Sequence, residues 1–170
     1  MSPSRLPLLL LLTLLLGACG FHLRGSDTLP PTMQPLHVSG AEAGGAFGKV
    51  LQQQLNLRGV EVSRHRVEAP YQLLLLKHER EERTLSLDPR AHTGELALTE
   101  RVVFELRDRQ GSLVLGPVTV EERRVMVDDP DRRVDKDAEA STLRDEMLSG
   151  LAGQLLRRLQ AWQPPAAAAD

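Results

Sequence analysis

The sequence has one cysteine, one tryptophan, one tyrosine and three phenylalanines in 170 residues. A lone cysteine cannot close an intramolecular disulfide, and without partner cysteines a thiolate zinc site is excluded too. No apolar run reaches the roughly twenty residues that a membrane-spanning helix needs. Charge of one sign is also missing: 21 Lys+Arg stand against 23 Asp+Glu, whereas nucleic-acid-binding domains normally carry a basic excess. Catalytic signatures are absent, with no Gly-x-Ser-x-Gly elbow, phosphate-cradling glycine loop or dinucleotide fingerprint. The histidines (His22, His37, His65, His78 and His92) are spread singly along the chain. His78-Glu79 begins like a zinc-protease motif, but no second His follows four residues later. All five read as exposed polar residues of strands and loops. Asp128-Asp129 sits among Arg123, Arg124, Arg132 and Arg133 and reads as a charge-balanced loop. The expectation is a protein that is not an enzyme and uses no metal or cofactor.

What is present begins at the N-terminus. Arg5 and the terminal amine precede an apolar run at 6–16, then Gly17-Ala18-Cys19. Charge, hydrophobic stretch and small residues in that order mark a secretory signal peptide, here residues 1–18. As a helix the run is about 16 Å long against a hydrocarbon core of about 30 Å, so it does not span. Leu16-Gly17-Ala18-Cys19 resembles the lipobox of bacterial lipoproteins. That resemblance implies cleavage before Cys19, diacylation of its sulfur and acylation of its new amine. Elsewhere in the chain a single cysteine would read as a stray or buried thiol. Each buried acyl CH₂ contributes about 0.8 kcal/mol, so three chains on one residue would make release negligible. Gly20, not Asp, follows the cysteine, which by the same resemblance favours the outer membrane. Residues 1–18 hold Arg5 as their one charged side chain, so residues 19–170 carry a formal charge of −3.

Residues 19–35 include Pro30, Pro31 and Pro35, which oppose a regular helix, and read as a tether. A strand is predicted at 36–39 and a helix at 46–57, where Phe47, Val50, Leu51 and Leu55 recur at helical spacing. Gly59 stands where a left-handed C-cap is expected, and 60–63 reads as a second strand. Strand, helix, strand suggests a parallel crossover. The apolar run 73–76 predicts a strand covered on both faces, continuing into a charged segment at 77–83. Residues 85–95, with Pro89 and Gly94, read as a loop. Leu96, Leu98, Val102, Phe104 and Leu106 share one parity and predict a strand over 96–108. Asp108-Arg109-Gln110-Gly111 reads as a hairpin turn with glycine at positive φ. It leads into a long strand at 113–127, where Pro117 argues for an edge or a bulge. Past a charged loop at 128–136, Leu143, Met147, Leu151, Leu155 and Leu159 recur every four residues. They predict a helix from Ser141 or Thr142 to about Gln160, with Thr142 and Asp145 resembling a capping box. This leucine stripe suits core packing better than a partner helix. The tail at 163–170 is low-complexity and is expected to be disordered. The fold expected is α+β: two helices packed on one face of a mixed, mostly antiparallel sheet of about four strands, one domain over 36–162.

Cys19-Gly20-Phe21-His22-Leu23-Arg24 resembles the opening of the mature LptE family, and further likenesses follow in order. They are Leu29-Pro30-Pro31-Thr32-Met33, Gln54-Leu55-Asn56-Leu57-Arg58-Gly59-Val60-Glu61, Lys136-Asp137, Glu146-Met147 and Gln154-Leu155-Leu156-Arg157-Arg158-Leu159. The resemblance implies a lipoprotein on the periplasmic side of the outer membrane, with a sheet and two helices. It also implies lipopolysaccharide binding, and service as plug and assembly factor of the LptD β-barrel. A barrel lumen is lined by polar side chains, which suits a chain with 26% charged residues. Lipopolysaccharide phosphates would be met by Arg and Lys. The resemblance points to Arg90, in the loop preceding the strand at 96–108, and to Lys136, in the loop before the last helix. The alternative is an unrelated outer-membrane lipoprotein acting as a periplasmic scaffold or interaction module.

Overall fold

The computed structural model describes residues 29–87, 93–127 and 133–162. The expected signal peptide, Cys19, Arg90 and the tail at 163–170 lie outside the described residues. Chain order is β1 (Leu36–Ser39), α1 (Ala46–Leu57), β2 (Val62–Ser63), β3 (Tyr71–Leu87), β4 (Thr93–Asp108), β5 (Leu113–Val127) and α2 (Arg133–Ala161). Short 3-10 turns lie at Pro31–Met33 and Arg66–Glu68. The strands form one mixed sheet in the order β2-β1-β3-β4-β5. β1 runs parallel to β2 and β3, while β3, β4 and β5 form an antiparallel meander. The count is five rather than about four, because even the two-residue β2 pairs in register with Leu36 and His37.

Leu36, Val62, Tyr71 and Asp108 are registered with one another at one end of the sheet, called proximal below. Leu87, Thr93 and Val127 lie at the other, distal end. A strand of β3's length extends about 55 Å, and a helix of α2's length about 44 Å. Both helices pack on one sheet face. Phe47, Leu51 and Leu55 of α1 join Leu148, Leu151 and Leu155 of α2 over Leu73, Leu75, Val102, Phe104 and Leu106. Leu29 and Met33, placed in the tether by sequence, are also buried in this core. The β1–α1 connection crosses β3 so closely that a Cβ on Gly40, which has φ of +104°, would lie 2.4 Å from the Leu75 carbonyl oxygen. At Gly111 the expected positive-φ hairpin residue is found, with φ of 89°.

Three expectations are corrected. The run 73–76 is covered on one face only: Leu73 and Leu75 are buried, whereas Leu76, at a register shift, is exposed. Residues 85–95 do not form one loop, since β3 continues to Leu87 and β4 starts at Thr93. Cross-strand pairing overrides the polar composition there. The last helix begins at Arg133, not near Ser141, so Lys136 lies within a helix rather than a loop. Thr142 is therefore no cap, and its hydroxyl donates back to the Ala138 carbonyl at 3.0 Å. Residues 133–140 lack apolar periodicity, but their alanines and acids favour a helical first turn through propensity and the macrodipole.

One carboxylate interrupts the core. Glu100 shares the inward parity of Leu98 and Val102 and is 1% exposed. Its Oε2 pairs with His78 Nε2 at 2.6 Å, and its Oε1 accepts from Arg80 Nε at 2.6 Å. His78 is thus not an exposed strand histidine. It is largely buried, with its ring centroid 6.0 Å from that of Phe47. Distal to Glu100, a smaller core of Leu98, Met126, Ala140 and Met147 holds the first half of α2 to the sheet.

The free edge, β5, is blunted in three ways. Pro117 offers no N–H. Gln154 Nε2 of α2 donates to the Glu121 carbonyl at 3.1 Å, and Arg124 Nη1 donates to the Arg123 carbonyl at 3.1 Å.

Three outcomes follow. Arg80→Ala leaves one oxygen of Glu100 buried without a donor and should cost about 1–3 kcal/mol, read as a lower urea midpoint. The paired change His78→Phe with Glu100→Leu should cost less than Glu100→Ala alone, because it removes the charge together with its partner. Gln154→Ala uncovers the Glu121 carbonyl and should raise concentration-dependent self-association in sedimentation velocity. A monomer at every concentration would show that this cap does not protect the edge.

Candidate functional site

The sheet face opposite the helices is polar and largely self-neutralised from the proximal end to its middle. Glu79, Arg101 and Glu121 face one another across β3, β4 and β5. Arg101 Nε donates to Glu121 at 2.5 Å, and its Nη1 lies 3.4 Å from Glu81. Lys77 pairs with Glu79 at 2.5 Å, and Arg107 with Glu105 at 2.6 Å. The hydrogen bond from Lys77, reinforced by its charge, holds the Glu79 carboxyl below the usual carboxylate range. The bond to Glu121, and then its charge, raises the Arg101 guanidinium above its ordinary value. Exposed pairs of this kind add little stability. Their effect is a charged surface whose charges are already answered.

Toward the distal end the pattern changes. Arg123 stands opposite Thr99, and one row further Arg83 and Val125 flank Ala97. Neither guanidinium has an ion-pair partner among the described residues. Beside them Leu85, Val125 and Val127 are 41%, 53% and 72% exposed. On the helix side Arg144 pairs with Glu82, which ties α2 to β3. Among the described residues the distal end therefore combines unanswered cations with uncovered apolar side chains, a chemistry suited to a phosphorylated amphiphile.

Of the two cations expected from sequence, Arg90 falls between Leu87 and Thr93 in a segment outside the described residues, whereas the backbone of Lys136 lies near the start of α2, whose Ala140 packs on Met126 and Leu98. Side-chain positions for both lie outside the described residues. Cys19 lies outside them as well. Arg83 and Arg123 were missed by sequence reasoning. Their signal was present in the alternation Arg123, Val125, Val127, which sets a cation and two valines on one outward strand face.

Among the described residues no group of three or more His, Cys, Asp or Glu is placed to hold a metal ion. No described helix is long and apolar enough to cross a membrane.

Comparison with known proteins bears on this arrangement. The family model described as LptE, lipopolysaccharide-assembly, matches residues 32–159. The LPS-assembly lipoprotein LptE of Yersinia enterocolitica is 31% identical over 158 residues, covering 89% of this chain and 73% of that protein. The LPS-assembly lipoprotein LptE of Photorhabdus laumondii is 30% identical, covering 88% of this chain and 85% of that protein. Among solved structures, the rare lipoprotein B of Shewanella oneidensis superposes with a TM-score of 0.63 at 25% identity, over 73% of this chain and 92% of the other. Lipoprotein B of Nitrosomonas europaea gives 0.72 at 24% identity, over 84% and 91%, and shows the shared fold. The family match spans most of the chain, its strands and helices in order, so this chain belongs to the LptE lipopolysaccharide-assembly family.

Proposed function

We propose that the chain is an outer-membrane lipoprotein, acylated at Cys19, that binds lipopolysaccharide at its distal end and works as plug and assembly factor of an LptD-type β-barrel. Family membership supports the assembly role. The feature that carries the binding reading is the pairing of Arg83 and Arg123, which have no ion-pair partner among the described residues, with exposed Leu85, Val125 and Val127. Guanidinium forks suit the lipid's phosphates, and the valines and leucine suit the adjoining acyl chains. Lys136, whose backbone lies near the start of α2, and Arg90, from the segment between Leu87 and Thr93 in sequence, are proposed as further phosphate contacts. The open sheet face, with its answered charges, suits contact with a polar barrel wall. No step of bond making is assigned, because the site needs only to hold and release a lipid.

Two measurements test this. Affinity purification from detergent-solubilised envelope should bring down a large outer-membrane β-barrel protein together with the chain; its absence would favour a scaffold unrelated to that barrel. Reversing Arg83 and Arg123 to Glu should weaken lipopolysaccharide binding by about tenfold or more per charge, with no fall in melting temperature. Lys136→Glu should act in the same direction, and unchanged binding in all three variants would remove the distal end as the lipid site.

A further inference from the structure

The proximal end carries a second amphipathic surface, of different make-up. Leu57, Val67 and Leu113 are 73%, 82% and 49% exposed. Leu57 ends α1, Val67 lies in the 3-10 turn before β3, and Leu113 opens β5 beyond the hairpin. Strand register gathers these segments at one end of the sheet, where Leu36 meets Val62 and Tyr71, and Tyr71 meets Asp108. Turn and hairpin touch: a Cβ on Gly111 would lie 3.0 Å from Arg66 Nη2.

Arginines surround these apolar side chains. Arg64, Arg66 and Arg109 are exposed and have no ion-pair partner among the described residues. Nearby acids are partly occupied: Glu68 accepts from the Ser63 hydroxyl at 2.6 Å, and Asp108 accepts from the Ser112 N–H at 2.8 Å. Glu61 is the remaining exposed carboxylate of this end. In a chain of formal charge −2, a local excess of free arginine beside three uncovered hydrophobics is a distinct feature.

The same end receives the chain from the N-terminal side. Gln34 Nε2 donates to the Leu29 carbonyl at 2.9 Å, while its Oε1 accepts from the Glu61 N–H at 3.0 Å. That side chain pins the incoming segment beside the loop that follows α1. From Cys19 to Leu29 is ten residues, which can reach at most about 35 Å. The distal end stands about 55 Å further along β3.

We propose that the proximal end rests on anionic phospholipid headgroups of the bilayer that carries the Cys19 anchor. Arg64, Arg66 and Arg109 meet the phosphates, and Leu57, Val67 and Leu113 enter the headgroup boundary, as basic and apolar residues do in interfacial segments. This rests on the acylation reading above. An anchored Cys19 keeps this end within about 35 Å of its own membrane surface. Docking there would orient the sheet with its lipopolysaccharide end away from the anchoring leaflet.

The test uses residues 20–170, which retain every core residue described above and carry no acyl chain. The chain should float with vesicles of phosphatidylcholine mixed with phosphatidylglycerol, not with phosphatidylcholine alone, and salt should release it. The triple change Arg64→Glu, Arg66→Glu, Arg109→Glu should lower partitioning by roughly a hundredfold. Lys49→Glu, an exposed change on α1 outside either end, should leave it nearly unchanged, and thermal melts of both variants should match the parent. Equal binding to both vesicle types, no flotation at all, or a triple variant that still binds would overturn the proposal. Labelled palmitate should be incorporated by the full chain in cells and lost in Cys19→Ala. Flotation without palmitate labelling would sink the anchor reading alone, whereas labelling without flotation would sink the docking surface alone.

Discussion

A buried carboxylate organises this molecule. Glu100 sits on the core-facing parity of the central strand β4, and its two oxygens are held by His78 and Arg80 from β3. An ionised group in that position costs several kcal/mol of desolvation unless both oxygens are met, so the pairing of β3 with β4 and the charge hold each other in place. The carboxylate also sets where hydrophobic packing stops. Proximal to it, both helices share one large core; distal to it, α2 alone is held by a small cluster around Leu98 and Met126. Burial contributes roughly in proportion to apolar area, so the distal half of α2 is the more weakly attached part.

That asymmetry gives the two ends different chemistry. Along the middle of the open face every strong charge has an answering charge, as in the Arg101–Glu121 and Lys77–Glu79 pairs. At either end the ladders run out and arginines stand beside exposed aliphatic side chains. β5, the one long edge, is closed to strand addition by Pro117 and by side-chain donors on two carbonyls. Strand addition along this edge is thereby disfavoured.

How much of this was legible in sequence depended on whether the deciding force was local. The strand at 36–39, the helix at 46–57 and the strand at 113–127 were placed at their observed bounds. Each carries its own periodicity, punctuated by Pro, Gly or a turn. Residues 85–87, 93–95 and 133–140 were misassigned because their pairing or helical state comes from neighbours and propensity, not from an apolar repeat. His78 and Glu100 are 22 residues apart, and nothing local to either announces the bond between them. A glutamate on an otherwise apolar parity was the one available hint.

By itself, the sequence determined the fold class, the apolar faces, the lipobox-like cysteine and the family resemblance, because these are patterns over short or ordered stretches of residues. Only the tertiary structure decided which arginines lack partners among the described residues. Arg83 and Arg123 on the distal strands, like Arg64, Arg66 and Arg109 at the proximal end, are indistinguishable in sequence from Arg101 or Arg80. Strand register sets which carboxylates lie within reach of each guanidinium, and register is a property of the whole sheet.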